Sequence, residues 1–143
     1  MVAIAISTIL PIAVASDVTI LLEPVNTRVD HPGVLFNLAQ DAAAVIGQVS
    51  SPRVKMLYDA YHSTTEGEEP WQIVPQIIGM IEYVQIADSP GRGEPGTGCI
   101  DWPGFLKLLE ESGYCGPIGI ECHPSLQSTS EALSFFRDLC SSR

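Results

Sequence analysis

The chain has 143 residues, a hydrophobic share of 45%, and 17 acidic against 7 basic side chains, which give a formal charge of −10. This length and apolar content predict one folded domain, because a domain of this size buries roughly two-thirds of its unfolded surface. The net negative charge would repel a polyanion, and the sequence lacks the basic stripe that nucleic-acid binders show. Both features argue against DNA or RNA as a partner.

The first fifteen residues, MVAIAISTILPIAVA, are apolar and end in an A-x-A-like step that superficially resembles a secretory signal. They carry no basic start, and Pro11 interrupts a run that is too short to cross a bilayer. We therefore predict a core-packing helix that leads into the first strand, and no membrane association. The cysteines show no CxxC pairing and no zinc-finger spacing, so we expect reduced thiols in a cytoplasmic protein: Cys99, Cys115, Cys122 and Cys140.

Four apolar runs are predicted to be strands, and each is followed by a segment predicted to be helical. The predicted strands cover residues 18–22, 54–58, 81–87 and 117–121. The predicted helices cover residues 34–49, 71–78 and 102–112, and a final helix runs through Glu131 and Leu139. Asp101 and Ser128 are the predicted N-caps of the third and the final helix. Between the second strand and its helix we expect a polar loop, STTEGEEP. This fourfold β-α order favours a right-handed parallel sheet in a single domain spanning 1–143.

A residue that can hold a metal or move a proton stands at the end of each predicted strand: Glu23, Asp59, Gln85 and Glu121. Side chains at the carboxyl ends of parallel strands converge on one rim. Such an oxygen-rich group suits Mg²⁺ or Mn²⁺ better than zinc, and its carboxylates can move a proton between neighbouring carbons. This is the chemistry of an aldose–ketose isomerase or a sugar epimerase. His62, at the start of the following loop, would hydrogen-bond a substrate oxygen rather than complete the metal shell.

The segment DSPGRGEPGTG after the third strand is either mobile or shaped around a ligand. It lacks the GKS/T ending of a P-loop and the first-strand context of a dinucleotide fold, so we expect no nucleotide cofactor. Arg92 within it is either solvated or a clamp for a substrate carboxylate. Taken singly, Glu23 reads as a solvated carboxylate and Asp59 as a helix cap. We interpret His31 as structural and place His123 near the site rim.

Four motifs occur in one order along the chain: LLEPVNTRVDHPG, the D-x-Y-H of residues 59–62, VQIADSPGRGEPGTG and GIECHP. Together they resemble the hydroxypyruvate isomerase group of the xylose-isomerase-like TIM barrels, from about Val18 to the C-terminus. The resemblance implies an α/β chain of (β/α) TIM-barrel type. Members of the family have eight strands, so this chain would hold the last four βα units.

The resemblance also implies roles for individual residues. Glu23, Asp59, Gln85 and Glu121 match the metal-ligand positions, and Glu23 and Glu121 also match the acid/base pair. His62 and Arg92 match positions that hold the oxygens of the substrate, a small hydroxy-carbonyl acid. The sequence departs from relatives at Cys122 and His123, where an aromatic residue and a lysine are frequent, and at Cys99, where a carboxylate is frequent.

The sequence therefore leaves several functions open. The first is an isomerase that interconverts hydroxypyruvate and tartronate semialdehyde through an enediolate, with a divalent metal. A sugar epimerase on the same scaffold is its nearest rival. A second class is a non-catalytic half-barrel, or a subunit completed by another chain, because open sheet edges invite association, including a homo-oligomer. A phosphodiesterase acting on abasic DNA ranks last, because it would need more histidines and a basic surface.

Overall fold

A computed structural model describes residues 1–124 and 128–141. Its strands are β1 (Ile20–Leu22), β2 (Val54–Asp59), β3 (Ile81–Ile86) and β4 (Ile118–Ile120). They form one sheet in the order β1-β2-β3-β4, and every neighbouring pair is parallel. All four were predicted, and β1, β3 and β4 are shorter than expected.

Helices precede, separate and follow the strands. They are α1 (Val2–Ala15), α2 (Ala39–Val49), α3 (Ala60–Glu66), α4 (Pro70–Ile77) with a 3₁₀ turn at Ile78–Met80, α5 (Trp102–Glu111) and α6 (Thr129–Ser141). The predicted loop STTEGEEP was wrong over its first half, because residues up to Glu66 belong to α3. That helix is polar and short, so it carries no apolar periodicity, and Gly67 ends it in a left-handed conformation with φ 95°.

The predicted N-terminal helix is present as α1, with Pro11 inside it. Its Ile6 is 5% exposed and belongs to the main core, while Ile4 and Ile12 are 73% and 69% exposed. The described residues contain no helix that is both long and apolar enough to span a membrane. In the described part of the chain the free thiols are Cys99, Cys115 and Cys122, and the side chain of Cys140 lies outside it.

The sheet has two unlike faces. Met56, Tyr58 and Val84 are buried on one face in the core that the helices share. Alternate residues of a strand point to the other face, and there Leu57 and Tyr83 lie side by side and are only partly buried. The strand order leaves β1 and β4 as the two edges. This face and these edges are therefore the part of the sheet that its own helices cover least.

Candidate active site at the carboxyl ends of the strands

The residues predicted at the strand ends lie at one end of the sheet. Glu23 directly follows β1, Asp59 ends β2, and Glu121 directly follows β4. The ladder pairs Asp59 with Gln85, and Gln85 with Gly119 two residues before Glu121. Parallel pairing thus brings four segments, distant in sequence, to one rim.

Glu23 is the carboxyl group of the rim whose pKa is raised closest to neutral pH. Its side chain is 32% exposed. Burial, and then the neighbouring charges of Asp59 and Glu121, raise the pKa of Glu23 to about 7, while Arg92 opposes them. A carboxyl group with this pKa can both accept and return a proton at neutral pH, as general acid–base catalysis requires.

Asp59 has two functions in the structure. Its Oδ1 caps α3 by accepting hydrogen bonds from the backbone N–H groups of Tyr61 at 2.8 Å and His62 at 3.4 Å. Its Oδ2 is buried and has no hydrogen-bond partner among the described residues. Burial raises the pKa of Asp59 to about 6, although the two backbone hydrogen bonds lower it. The helix-cap interpretation of Asp59 is therefore correct, and it leaves one oxygen facing the site.

His62 lies in the first turn of α3, and the prediction that it begins a loop was wrong. The side chain is 2% exposed, and its Nε2 lies 3.9 Å from Glu23 Oε1 and 3.8 Å from Asp59 Oδ2. Burial, followed by the charge of Arg92, lowers the pKa of His62 to about 4. The ring is therefore neutral at physiological pH, and its Nε2 edge faces the two carboxylates.

Arg92 is the cation of the site. Its side chain is 15% exposed, and its guanidinium lies 2.8 Å from Glu121 Oε2 and 3.9 Å from Asp59 Oδ2. It also stacks 5.1 Å from the ring centroid of Tyr61, at a distance that allows a cation–π contact. The charged group is thus held between two carboxylates and an aromatic face rather than solvated.

Asp88 shapes the glycine-rich loop that carries Arg92. It is fully buried, and its carboxylate accepts hydrogen bonds from the backbone N–H groups of Gly96 at 2.7 Å and Ile100 at 3.1 Å, and from Trp102 Nε1 at 2.9 Å. Gly98 passes so close that a Cβ there would lie 2.5 Å from Asp88 Oδ1. The loop is therefore folded around one of its own side chains, an arrangement that neither sequence alternative had included.

The residues fit a hard divalent cation. Gln85 Oε1, like Asp59 Oδ2, is a buried oxygen with no hydrogen-bond partner in the part of the chain that the structure describes, and such atoms are rare unless a ligand completes them. Three carboxylates share the rim with Arg92, and oxygen ligands of this kind suit Mg²⁺ or Mn²⁺. Glu121 is 55% exposed and turned towards Arg92. Among the described residues, the group with converging ligand atoms consists of Glu23, Asp59 and His62.

A small cavity of about 250 Å³ adjoins Arg92. It is lined by both charged and hydroxyl-bearing side chains, among them Asp30, Tyr61, Thr65, Ser89, Arg92 and His123. His123 is exposed, and its backbone N–H donates to the carbonyl of Arg92 at 2.7 Å, which places it at the rim as predicted. His31 is exposed, with its ring centroid 5.4 Å from that of His62.

Residues 1–139 match the family described as xylose isomerase-like TIM barrel. The chain belongs to this family. It is 38% identical over 116 residues to the hydroxypyruvate isomerase of Escherichia coli, and 37% identical over 113 residues to the 2-oxo-tetronate isomerase of Cupriavidus necator. These matches cover 81% and 78% of this chain, but 44% and 43% of the relatives. The chain thus spans less than half the length of the curated relatives it matches.

A solved structure titled AP endonuclease, family 2, from Brucella melitensis superposes with a TM-score of 0.81 at 30% identity. The match covers 87% of this chain and 48% of that one. The comparison agrees with the four parallel strands, and the fold is a partial (β/α) barrel, as the sequence predicted.

Proposed function

We propose that this chain carries the acid/base centre of an intramolecular oxidoreductase that interconverts hydroxypyruvate and tartronate semialdehyde, or a similar small hydroxy-carbonyl acid. The observation that carries the proposal is Glu23, whose pKa is raised to about 7, on the rim that Arg92 and Glu121 share. The names of the two isomerase relatives support the reaction class.

The reaction moves one proton between neighbouring carbons. One carboxylate, Glu23 or Glu121, takes a proton from the hydroxyl-bearing C3, and the electrons of that C–H bond form the enediolate. The other carboxyl delivers a proton to C2, and the hydroxyl proton moves from the oxygen on C3 to the oxygen on C2. Atoms and electrons balance without an external oxidant. His62, whose Nε2 edge faces Glu23 and Asp59, would stabilise the oxygen that gains charge.

Glu23, Asp59 and Gln85 would hold a divalent metal, with Glu121 as the further ligand that the family resemblance implies. Mg²⁺ or Mn²⁺ in this place would supply charge stabilisation for the developing oxyanion. The site needs no nucleotide, and we propose none. Free thiols at Cys99, Cys115 and Cys122 support a cytoplasmic location.

Arg92 would bind the substrate carboxylate. A planar guanidinium can hold a carboxylate through two parallel hydrogen bonds, and its contacts with Tyr61 and Glu121 hold it in place beforehand. The adjoining cavity of about 250 Å³ is small, which favours a short acid over a bulky substrate. A net charge of −10 argues against abasic DNA as the substrate.

The second candidate, a half-barrel completed by a second copy or by another chain, is favoured by the edge strands β1 and β4, which pair on one side only among the described residues. Both edges have the parallel polarity that a further strand would need. In this case the isolated chain would be inactive, and association would restore turnover.

The test is a substrate screen with the purified chain, followed by NMR of the products, in Mg²⁺, in Mn²⁺ and with a chelator. Hydroxypyruvate, a 2-oxo-tetronate and ketohexoses are compared, and Glu121→Gln is measured beside Glu110→Gln as a matched control. We expect the wild type and Glu110→Gln to convert the short acids, and Glu121→Gln to have lost this activity. Conversion of ketohexoses alone would point to a sugar epimerase, and an unchanged rate in Glu121→Gln would refute the proposed acid/base pair.

A further inference from the structure

Asn26 is fully buried in the segment after β1. One of its side-chain atoms, Oδ1, accepts hydrogen bonds from the backbone N–H groups of Val29 and Asp30, both at 3.0 Å. Because both partners are donors, this atom must be the amide oxygen rather than the nitrogen. The orientation of the amide is therefore fixed, and its Nδ2 must point to the opposite side.

On that side, Asn26 Nδ2 lies 2.6 Å from His62 Nδ1 and donates a second hydrogen bond to Asp30 Oδ2 at 2.8 Å. The backbone N–H of Asn26 also donates to His62 Nδ1, at 3.2 Å. Two N–H donors thus point at one ring nitrogen. That nitrogen must present its lone pair, so it carries no proton.

The proton of the imidazole is therefore on the other nitrogen, Nε2. This nitrogen faces Glu23 Oε1 at 3.9 Å and Asp59 Oδ2 at 3.8 Å. A nitrogen that carries a proton has no lone pair free for a cation. Proximity alone would group His62 with the two carboxylates as a metal ligand. Its hydrogen bonds instead make Nε2 a hydrogen-bond donor.

We propose that Asn26 is a positioning residue that fixes His62 as the Nε2–H tautomer, so that His62 donates a hydrogen bond into the site and takes no part in metal coordination. Any cation then has oxygen ligands only, from Glu23, Asp59, Gln85 and the further ligand Glu121. The tautomer does not depend on the proposed function, whereas the substrate oxygen that receives the hydrogen bond does.

Neighbouring hydrogen bonds through Asp30 and Tyr61 support this arrangement of Asn26 and His62. Asp30 Oδ2 accepts a hydrogen bond from Tyr61 Oη at 2.8 Å as well as from Asn26. Tyr61 in turn lies under the guanidinium of Arg92. The chain of contacts therefore links the histidine that faces the carboxylates to the arginine at the cavity.

The first test is long-range proton–nitrogen correlation NMR on the full chain with ¹⁵N-labelled histidine. His31→Gln and His123→Gln assign the signals, since the chain has three histidines. We expect His62 to be protonated on Nε2 and not on Nδ1, and to remain so when Mg²⁺ alone is added. A proton on Nδ1, protons on both nitrogens, or loss of the Nε2 proton on adding Mg²⁺ would each overturn the proposal.

The second test exchanges single atoms. Asn26→Asp keeps an oxygen for the N–H groups of Val29 and Asp30 but replaces the donor towards His62 by an acceptor, so a proton should appear on Nδ1. Asp30→Asn makes the reverse exchange in the same network and should leave the wild-type tautomer. An unchanged spectrum in Asn26→Asp would show that Asn26 does not set the tautomer. If Asn26→Asp does not fold, the wild-type spectrum still decides.

The proposal and the proposed function can fail separately. An Nε2–H tautomer in a chain that converts none of the acids would support the role of Asn26 and refute the isomerase. Turnover of the acids by a chain with the proton on Nδ1 of His62 would support the isomerase and refute the role of Asn26.

Discussion

The carboxylate of Asp88 accepts a hydrogen bond from the indole Nε1 of Trp102 at 2.9 Å, and both side chains are at most 2% exposed. Asp88 lies just after the end of β3, and Trp102 is the first residue of α5, so this contact joins the two ends of the glycine-rich loop. Arg92 lies between them in the sequence. The position of the arginine therefore depends on a carboxylate that does not contact the cavity.

Replacing Asp88 by asparagine should loosen this loop. The new amide places an NH₂ group against N–H donors, and an unpaired buried donor costs about 1–3 kcal/mol. We expect the free energy of unfolding, measured in urea, to fall by about that amount. Asp101→Asn is the matched control, because Asp101 caps α5 through Gly104 and asparagine caps equally well. Equal stabilities for the two variants would contradict this role for Asp88.

The two raised carboxyl pKa values predict how stability changes with pH in the metal-free chain. The pKa is about 7 for Glu23 and about 6 for Asp59 in the folded state, and lower in the unfolded state. Between about pH 4.5 and 7 these two carboxyl groups therefore bind more protons in the folded chain than in the unfolded chain, and the stability that they contribute falls as pH rises. The pKa of His62, lowered to about 4, acts in the opposite direction between about pH 4 and 6.5 and offsets part of this fall. Urea midpoints at several pH values should show this decline. Glu23→Gln should flatten it, and a flat wild-type profile would count against the burial of these charges.

Asp88 and Glu66 act in the opposite sense at lower pH. Hydrogen bonds to their carboxylates lower their pKa values below the ordinary range, against the effect of burial. The stability that they contribute is present above the unfolded pKa of about 4 and is lost as pH falls through the folded values. Acid unfolding should therefore begin below about pH 4, and Asp88→Asn should weaken this acid dependence.

Gln85 allows a test of metal binding that is separate from catalysis. Within residues 1–124 and 128–141 its buried Oε1 has no hydrogen-bond partner, so Gln85→Leu should cost little stability in the presence of a chelator. The same variant should reduce the rise in melting temperature that Mg²⁺ or Mn²⁺ gives the wild type. Gln76→Leu, on the exposed surface of α4, is the control and should keep the full rise. A full metal response in Gln85→Leu would remove Gln85 from the ligand set.

The sequence was sufficient to predict the strands and the rim, but not how the rim is supported. Apolar runs mark the strands, and parallel pairing brings Asp59 beside Gln85. Asn26 contacts His62, which is 36 residues away in the sequence, and Asp88 contacts Trp102, which is 14 residues away. A single buried polar residue has no periodic signal in the sequence that reveals such a contact. Helix α3 was missed because its stability comes from the Asp59 cap and from packing rather than from an apolar stripe.

The open edges predict association in solution. Leu21 lies at the centre of edge strand β1, on the face that the helices cover least. Leu21→Lys should lower the mass measured by light scattering, because a charge on an edge strand opposes further pairing. Leu35→Lys, an exposed position outside the sheet, should not. A monomeric wild-type chain would count against completion of the barrel by a second copy.

The central claim is that Glu23 moves a substrate proton, and deuterium exchange measures this directly. Hydroxypyruvate is incubated in D₂O with the wild type, Glu23→Gln, or Glu82→Gln, an exposed strand carboxylate that serves as control. We predict deuterium in the carbon skeleton above the protein-free rate for the wild type and the control, and a loss on the order of 100-fold or more for Glu23→Gln. Equal exchange in all three proteins, or none in the wild type, would contradict it.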